Sequence, residues 1–210
     1  MFSKETIAKL VEAAKGRIFT DLVIVCDGGE EIDAHKIIEA SGRYHIRDSP
    51  HAMVQRLVDY WYEGAYDVTA PSLDDNDQVA AVILSAHATM FALGDKYQVD
   101  GLMKLAANNY QAALQKNPNA RAFLHSLDEV YKSTPDHVRG LRQIAVCFAK
   151  DHLAASLVSP ETKKLYNEVA ERMPEFIKDL ADSYLEQSRR RNWSDCSGAE
   201  PAWLKKHRRA

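Results

Sequence analysis

Between residues 19 and 36 the chain reads FTDLVIVCDGGEEIDAHK. In an extended chain Leu22, Ile24 and Cys26 point one way and Val23 and Val25 the other. Both faces are apolar, which predicts a strand covered on each side. Asp27-Gly28-Gly29-Glu30 follows, and its glycines supply the positive φ that a tight hairpin turn needs. Glu31-Ile32-Asp33-Ala34 alternates polar with small or apolar positions and reads as the short return strand. His35 and Lys36 then lead into Ile37 and Ile38, where a helix begins.

Elsewhere the period is helical. Residues 3–15 form an amphipathic helix with Ser3 as its cap and Ile7, Leu10, Val11 and Ala14 on one face, and Gly16 ends it. A helix capped by Ser49, with Pro50 in its first position, carries Val54, Leu57, Val58 and Trp61 and stops at Gly64. Residues 67–78, DVTAPSLDDNDQ, are an acidic polar loop. Val82, Ile83, Ala86, Met90, Leu93 and Tyr97 mark one long apolar face. Leu102, Leu105, Ala106 and Tyr110 mark the next, which Asn117-Pro118-Asn119 breaks. Beyond it Phe123, Leu124, Leu127 and Val130, then Leu141, Ile144, Ala145 and Phe148, predict two further helices. Two more follow at 161–171 and 174–187, the latter with Phe176, Ile177, Leu180 and Tyr184.

Three stretches in order share a pattern. FTDLVIVC…AHK resembles the start of a BTB/POZ domain, a protein-interaction fold. LVDYWYEGAYD at 57–67 resembles that domain's LxxYLYTGxY segment, and HATMFALGDKYQVDGLMKLA at 87–106 its VYxLADKYxxxxLxxxA segment. Together they span about ninety residues, and the overall pattern is most similar to BTB proteins of filamentous fungi. The resemblance implies an α+β fold, a short hairpin and three-stranded sheet with a helical cluster, followed by a mainly helical extension. The domain is expected over 1–115, the extension over 116–188, and a basic, disordered tail over 189–210. It also implies structural roles for Phe19, Asp21, His35, Lys36, Tyr62, Gly64, Tyr66, Asp95, Lys96 and Tyr97.

The chain departs from the family after Lys36. Two helices and a loop are usual before the third strand, which His45-Ile46-Arg47 resembles. Here eight residues, 37–44, intervene, and an average helix alone takes about 11. We read this as an internal deletion between about 37 and 45, whether by splicing, a gene-model error or true divergence.

Composition narrows the picture. The net charge of −3 points to no particular partner, but it is unevenly spread. Residues 189–210 hold Arg189, Arg190, Arg191, Lys205, Lys206, Arg208 and Arg209 against Asp195 and Glu200, a net of +5 that leaves −8 for the rest. The two basic clusters are a candidate nuclear-import signal or a weak phosphate contact. A solvated tail is the preferred reading, and nucleic acid is not the expected partner. Cys26, Cys147 and Cys196 have no pairing or metal spacing. An odd cysteine count without a secretory signal points to an intracellular, reducing compartment, nucleus or cytoplasm. No apolar run approaches the roughly 18 residues of a membrane span.

Chemistry is absent from this reading. A carboxylate at Asp33 or Asp21 near the His35 imidazole is raw material for acid–base work, yet no nucleophile, phosphate loop or metal pair accompanies it. The scattered histidines His51, His87, His125, His137 and His152 lack metal-ligand spacing. No catalytic residue, metal site or cofactor is expected, and the chain is read as a non-enzyme. By resemblance it self-associates and recruits protein partners; a cullin-type ubiquitin-ligase scaffold is a partner the family often has, but the family's cullin contact relies heavily on the region missing here, so that role is carried over to no residue of this chain. Ile7, Leu10, Val11 and Ala14 then line the expected dimer interface. Two alternatives stand beside this: a truncated non-functional or regulatory isoform exposing Leu57 and Trp61, or a nuclear, transcription-related factor using the basic tail.

Overall fold

The computed structural model describes residues 22–34, 43–68, 75–133 and 139–196. The chain divides into two compact units, Met1–Ile144 and Ala145–Ala210. Together they are mainly helical with one small mixed sheet, an α+β composition.

In the first unit, β1 (Leu22–Cys26) lies between β2 (Glu31–Ala34) and β3 (Arg43–Ile46). β1 and β2 are antiparallel, with Leu22 opposite Ala34 and Val25 opposite Glu31. β3 runs parallel to β1, with Val23 opposite Arg43 and Cys26 opposite Ile46. The hairpin turn needs its glycines: Gly28 and Gly29 sit at φ 105° and 86°, where a Cβ would be strained. Across the turn the Cys26 N–H donates to the Glu30 carbonyl at 2.7 Å.

Leu22, Ile24, Cys26, Ile32, Ala34 and Ile46 are buried on one face of this sheet. Cover on both faces was expected, but Val23 and Val25 on the other face are only half-buried. Their cross-strand partners Asp33 and Glu31 are polar, so among the described residues that face is not closed by apolar neighbours.

The short link between β2 and β3, residues 35–42, lies outside the described residues, but the topology shows why so short a link suffices. β2 runs antiparallel and β3 parallel to β1, so β2 ends and β3 begins at the same end of the sheet. Crossing two strand spacings takes about 10 Å, well within the reach of eight residues at roughly 3.3 Å each.

Three long helices follow, α1 (His51–Glu63), α2 (Asn76–Lys96) and α3 (Asp100–Lys116), and then α4 (Ala120–Ser133). Pro50, expected in the first helical position behind a Ser49 cap, itself takes the cap position of α1, so the helix starts one residue later than expected and no side chain caps that end. Gly64 closes α1 in the left-handed region, its N–H reaching the Tyr60 carbonyl at 2.8 Å. The stripe of α1 is covered: Val54 and Leu57 are fully buried and Val58 nearly so. The exposure of Leu57 expected for a damaged domain is therefore not found, and Trp61 is half-buried.

α2 packs against α1, α3 and α4. Its buried positions are consequently not one stripe. Leu84, Ala88 and Phe91 are buried as well as Ala86, Met90 and Leu93, whereas Val82, expected inside, is 40% exposed. Among the described residues α2 is the one helix long and apolar enough to cross a membrane by length and composition. Its burial against three helices is what a core helix requires.

The expected domain boundary at 115/116 does not separate the units. Ala120, Ala122, Phe123, Leu124, Leu127 and Val130 of α4 are buried, and α4 packs on α2. Tyr110 of α3 and Ser126 of α4 hydrogen-bond at 2.8 Å inside the core. Asn117-Pro118-Asn119 thus breaks a helix without ending a domain. Asn119 caps α4 through its Oδ1, which accepts from the N–H groups of Arg121 and Ala122 at 3.0 Å.

The division between units falls within α5 (Gly140–Phe148), which continues through a π-helical segment, Ala149–Leu153, and a last α turn, Ala154–Ser156. The second unit adds α6 (Pro160–Arg172) and α7 (Pro174–Cys196). Ser159 caps α6 with Pro160 in the first position. Leu153, Val169, Met173 and Phe176 are among the buried residues of the second unit, with Ala145, Val146, Phe148, Ala149 and Thr162. α7 passes its expected end at 187, so residues 189–196 are helical instead of part of a disordered tail. No proline or glycine interrupts 175–196.

Candidate functional site

The motif residues fall into two groups. Tyr62, Gly64 and Tyr66 mark the end of α1, and Asp95, Lys96 and Tyr97 the end of α2. Phe19, Asp21, His35 and Lys36 lie outside the described residues, as do Ile7, Leu10, Val11, Ala14, Lys205, Lys206, Arg208 and Arg209. Arg189, Arg190 and Arg191 lie on α7, where the backbone alone is described.

The Asp95-Lys96-Tyr97 motif is a helix-closing device. The Gln98 N–H donates to the Asp95 carbonyl at 3.1 Å and the Val99 N–H to the Gly94 carbonyl at 2.7 Å. Those paired reversed bonds define a Schellman ending. It requires a left-handed residue just past the helix, and Gln98 fills that position at φ 56°. A side chain there is strained by about 1 kcal/mol. Gln98→Gly is therefore expected to raise stability by up to about 1 kcal/mol in urea denaturation, less whatever the freer unfolded chain takes back; a loss of stability would contradict this account.

Lys96 ties the same corner to the sheet. Its ammonium donates to the Arg47 carbonyl at 3.2 Å and lies 5.6 Å from the Tyr97 ring centroid. Burial pushes the Tyr97 phenol up, with Tyr44 and Asp48 adding to the effect. Asp48 is itself left-handed, at φ 64°. Tyr44, on the edge strand β3, is 41% exposed.

Tyr66 forms the second cluster. Its hydroxyl lies 2.9 Å from His87 Nδ1, with the rings 5.7 Å apart. Burial pushes the phenol up to about 12, against the smaller lowering effects of a hydrogen bond with Asn109 and of the Arg56 charge. Either the Tyr66 hydroxyl or His87 Nδ1 is the donor in their bond, according to the imidazole tautomer. The imidazole is held neutral: burial, and secondarily the Arg56 guanidinium, push it down to about 4. Arg56 donates in turn to the Asp67 carbonyl at 2.9 Å and the Ala52 carbonyl at 3.0 Å.

Perturbed groups in a cleft are the usual sign of catalysis, but these shifts run the wrong way. A phenol near 12 is a poor acid at neutral pH and an imidazole near 4 a poor base. The pair is a structural latch that holds the segment after Gly64 to α2. Nothing in the sequence spacing foretold it, since 21 residues separate its members. Asp77, Asn119 and Arg121 form a similar tie between the starts of α2 and α4: Asp77 accepts from Asn119 at 2.5 Å and lies 3.4 Å from Arg121.

No group of three or more potential metal ligands occurs among the described residues. Cys26 is buried, its thiol pushed up by burial and by Glu30, and Cys147 is exposed. His125 and His152 are exposed and His51 half-buried. No protein-family model matches the chain, and comparison with curated proteins finds no match.

Proposed function

We propose that the chain is a BTB/POZ-like protein-interaction module that self-associates and recruits other proteins, and that it is not an enzyme. The observation that carries this reading is the order of its parts. A hairpin, a third strand, and then α1, α2 and α3 bearing the second and third motif stretches follow one another as the resemblance implies. The sheet closes despite the short β2–β3 link, and Leu57 stays buried, which favours a competent domain over a damaged isoform. The wrong-way shifts of Tyr66 and His87 speak against acid–base chemistry at the one cluster where such groups meet among the described residues. A cullin-type scaffold is the partner class the resemblance supplies, with a nuclear or cytoplasmic location.

Light scattering on the eluting full-length chain tests the central claim. A mass of two chains is expected, falling to one chain for Leu10→Asp with Val11→Asp while the far-ultraviolet circular dichroism and thermal transition stay unchanged. A monomeric parent chain at tens of micromolar would remove self-association from the proposal.

A further inference from the structure

Strand β3 is an open edge of the sheet. β1 takes one of its sides, and among the described residues no strand takes the other. Such an edge presents a row of N–H and C=O groups with which an extended chain can pair. The register fixes the side chains that flank this row. Tyr44 and Ile46 lie opposite Ile24 and Cys26 on the buried face, and Arg43 and His45 lie opposite Val23 and Val25 on the other. Ile46 is fully buried, but Tyr44 is 41% exposed and His45 is exposed as well. By alternation Arg47, also exposed, extends the row of Arg43 and His45.

The two flanks differ in chemistry. On the core side Tyr97, half-buried at the end of α2, stands near Tyr44, which helps to push its phenol up. Those two rings offer an apolar border to the edge. Charge follows the opposite row: Arg43 and Arg47 bracket the strand, and exposed Lys96 joins them by donating to the Arg47 carbonyl at 3.2 Å. Asp48 and, past the end of β1, Asp27 oppose them, which leaves the border net positive. Pairing β3 with the β3 of a second copy would set these cations against their own kind, and like charges facing across a strand pair are destabilising. A segment that carries carboxylates reverses the sign.

We infer that β3 is a docking edge for an extended segment of a partner protein in which apolar and acidic residues alternate. Its backbone adds a fourth strand to the sheet. Its apolar side chains settle on Tyr44 and Tyr97, and its acidic ones face the row of Arg43, His45 and Arg47. The inference rests on the reading of the chain as a module that recruits proteins, and it uses a surface other than that of Leu10 and Val11.

A display library of random peptides about seven residues long, enough for one strand, tests this when selected on the immobilised full-length chain. The enriched peptides are then measured by fluorescence anisotropy. They are expected to alternate apolar with acidic residues. Arg47→Glu, at an exposed site, is expected to weaken them at least about tenfold, a change of about 1.4 kcal/mol, and to leave the thermal transition unchanged. Methylating alternate backbone nitrogens of the peptide is expected to abolish binding for one set of positions and spare it for the other, because only every second N–H faces β3. Enrichment without alternation, binding indifferent to Arg47→Glu, or binding that survives both methylation sets would each overturn the inference. So would a mass that grows beyond two chains with concentration and is restored by Tyr44→Ser, because the occupant would then be a second copy. Light scattering on the same preparation separates the two readings. A dimer that selects no such peptide overturns the docking edge alone, whereas a monomer that selects it supports the edge and removes only self-association.

Discussion

Replacing His87 with glutamine is expected to remove about 3 kcal/mol of the stability the parent chain loses between pH 7 and pH 4. The imidazole titrates near 6.5 when unfolded and is pushed down to about 4 in the fold. Its folded pKa is depressed, so the neutral form is the one the native state keeps. The stability tied to that neutrality is fully present above about 6.5, declines as the pH falls through the window down to about 4, and is lost below it. At pH 5 the unfolded chain has already taken up the proton and the native state has not, a difference of about 2 kcal/mol.

Burial comes first among the causes and Arg56 second. His87 is 8% exposed, so solvent screening takes little from the effect. Glutamine can still hydrogen-bond the Tyr66 hydroxyl, as donor or acceptor, but cannot be protonated. Urea denaturation of both chains at pH 7, 6, 5 and 4 gives the comparison. The two stability curves should converge or cross as the pH falls, whatever constant offset the substitution introduces. Parallel curves would mean that the acid sensitivity of the fold lies elsewhere.

Two glycines at the α2–α3 corner should respond to alanine by different amounts. A Cβ on Gly94 would stand 2.7 Å from Met103 Cγ and 2.9 Å from the Met103 backbone nitrogen. The side chain can move, but the nitrogen belongs to the first turn of α3 and cannot yield without shifting that helix. Overpacking of this kind costs about 3 kcal/mol, against about 1 kcal/mol gained by alanine over glycine within a helix. Gly94→Ala is therefore expected to destabilise by about 2 kcal/mol.

At Gly101 the new methyl group would overlap the Tyr60 hydroxyl, the far end of a half-buried side chain that can swing aside. The two terms there nearly cancel, and Gly101→Ala should fall within about 0.5 kcal/mol of the parent. Chemical denaturation of both variants decides it. A Gly94 variant as stable as the parent would show that the α2–α3 approach is looser than described.

Much of the local structure was legible in the residues. A continuous apolar run located β1, alternation located β2, paired glycines located the turn between them, and Gly64 located the end of α1. In each case one short-range physical demand, a pleat or a positive φ, selects a few residue types. The motif Asp95-Lys96-Tyr97 was also readable as a helix end. Its closing residue was not, because Gln98 carries no compositional mark of the left-handed conformation that the paired backbone bonds impose on it.

Other features were decided only by how elements meet. Val82 and Leu84 are equally apolar neighbours on one helix, yet one is exposed and the other buried, since α2 is enclosed by three helices instead of one surface. Asn117-Pro118-Asn119 reads as a domain break, but the apolar face of α4 returns to α2 and overrules it. His87 shows no special spacing and becomes a neutral, hydrogen-bonded latch only when α1, α2 and α3 bring Arg56, Tyr66 and Asn109 around it.

By itself, then, the sequence determined the elements and the composition class, because periodicity and backbone conformation act within a few residues. The tertiary structure alone decided the strand order β2-β1-β3, the enclosure of α2, the unit boundary within α5 and the charge state of His87. Each of these depends on burial and on partners tens of residues away, where no local pattern records them.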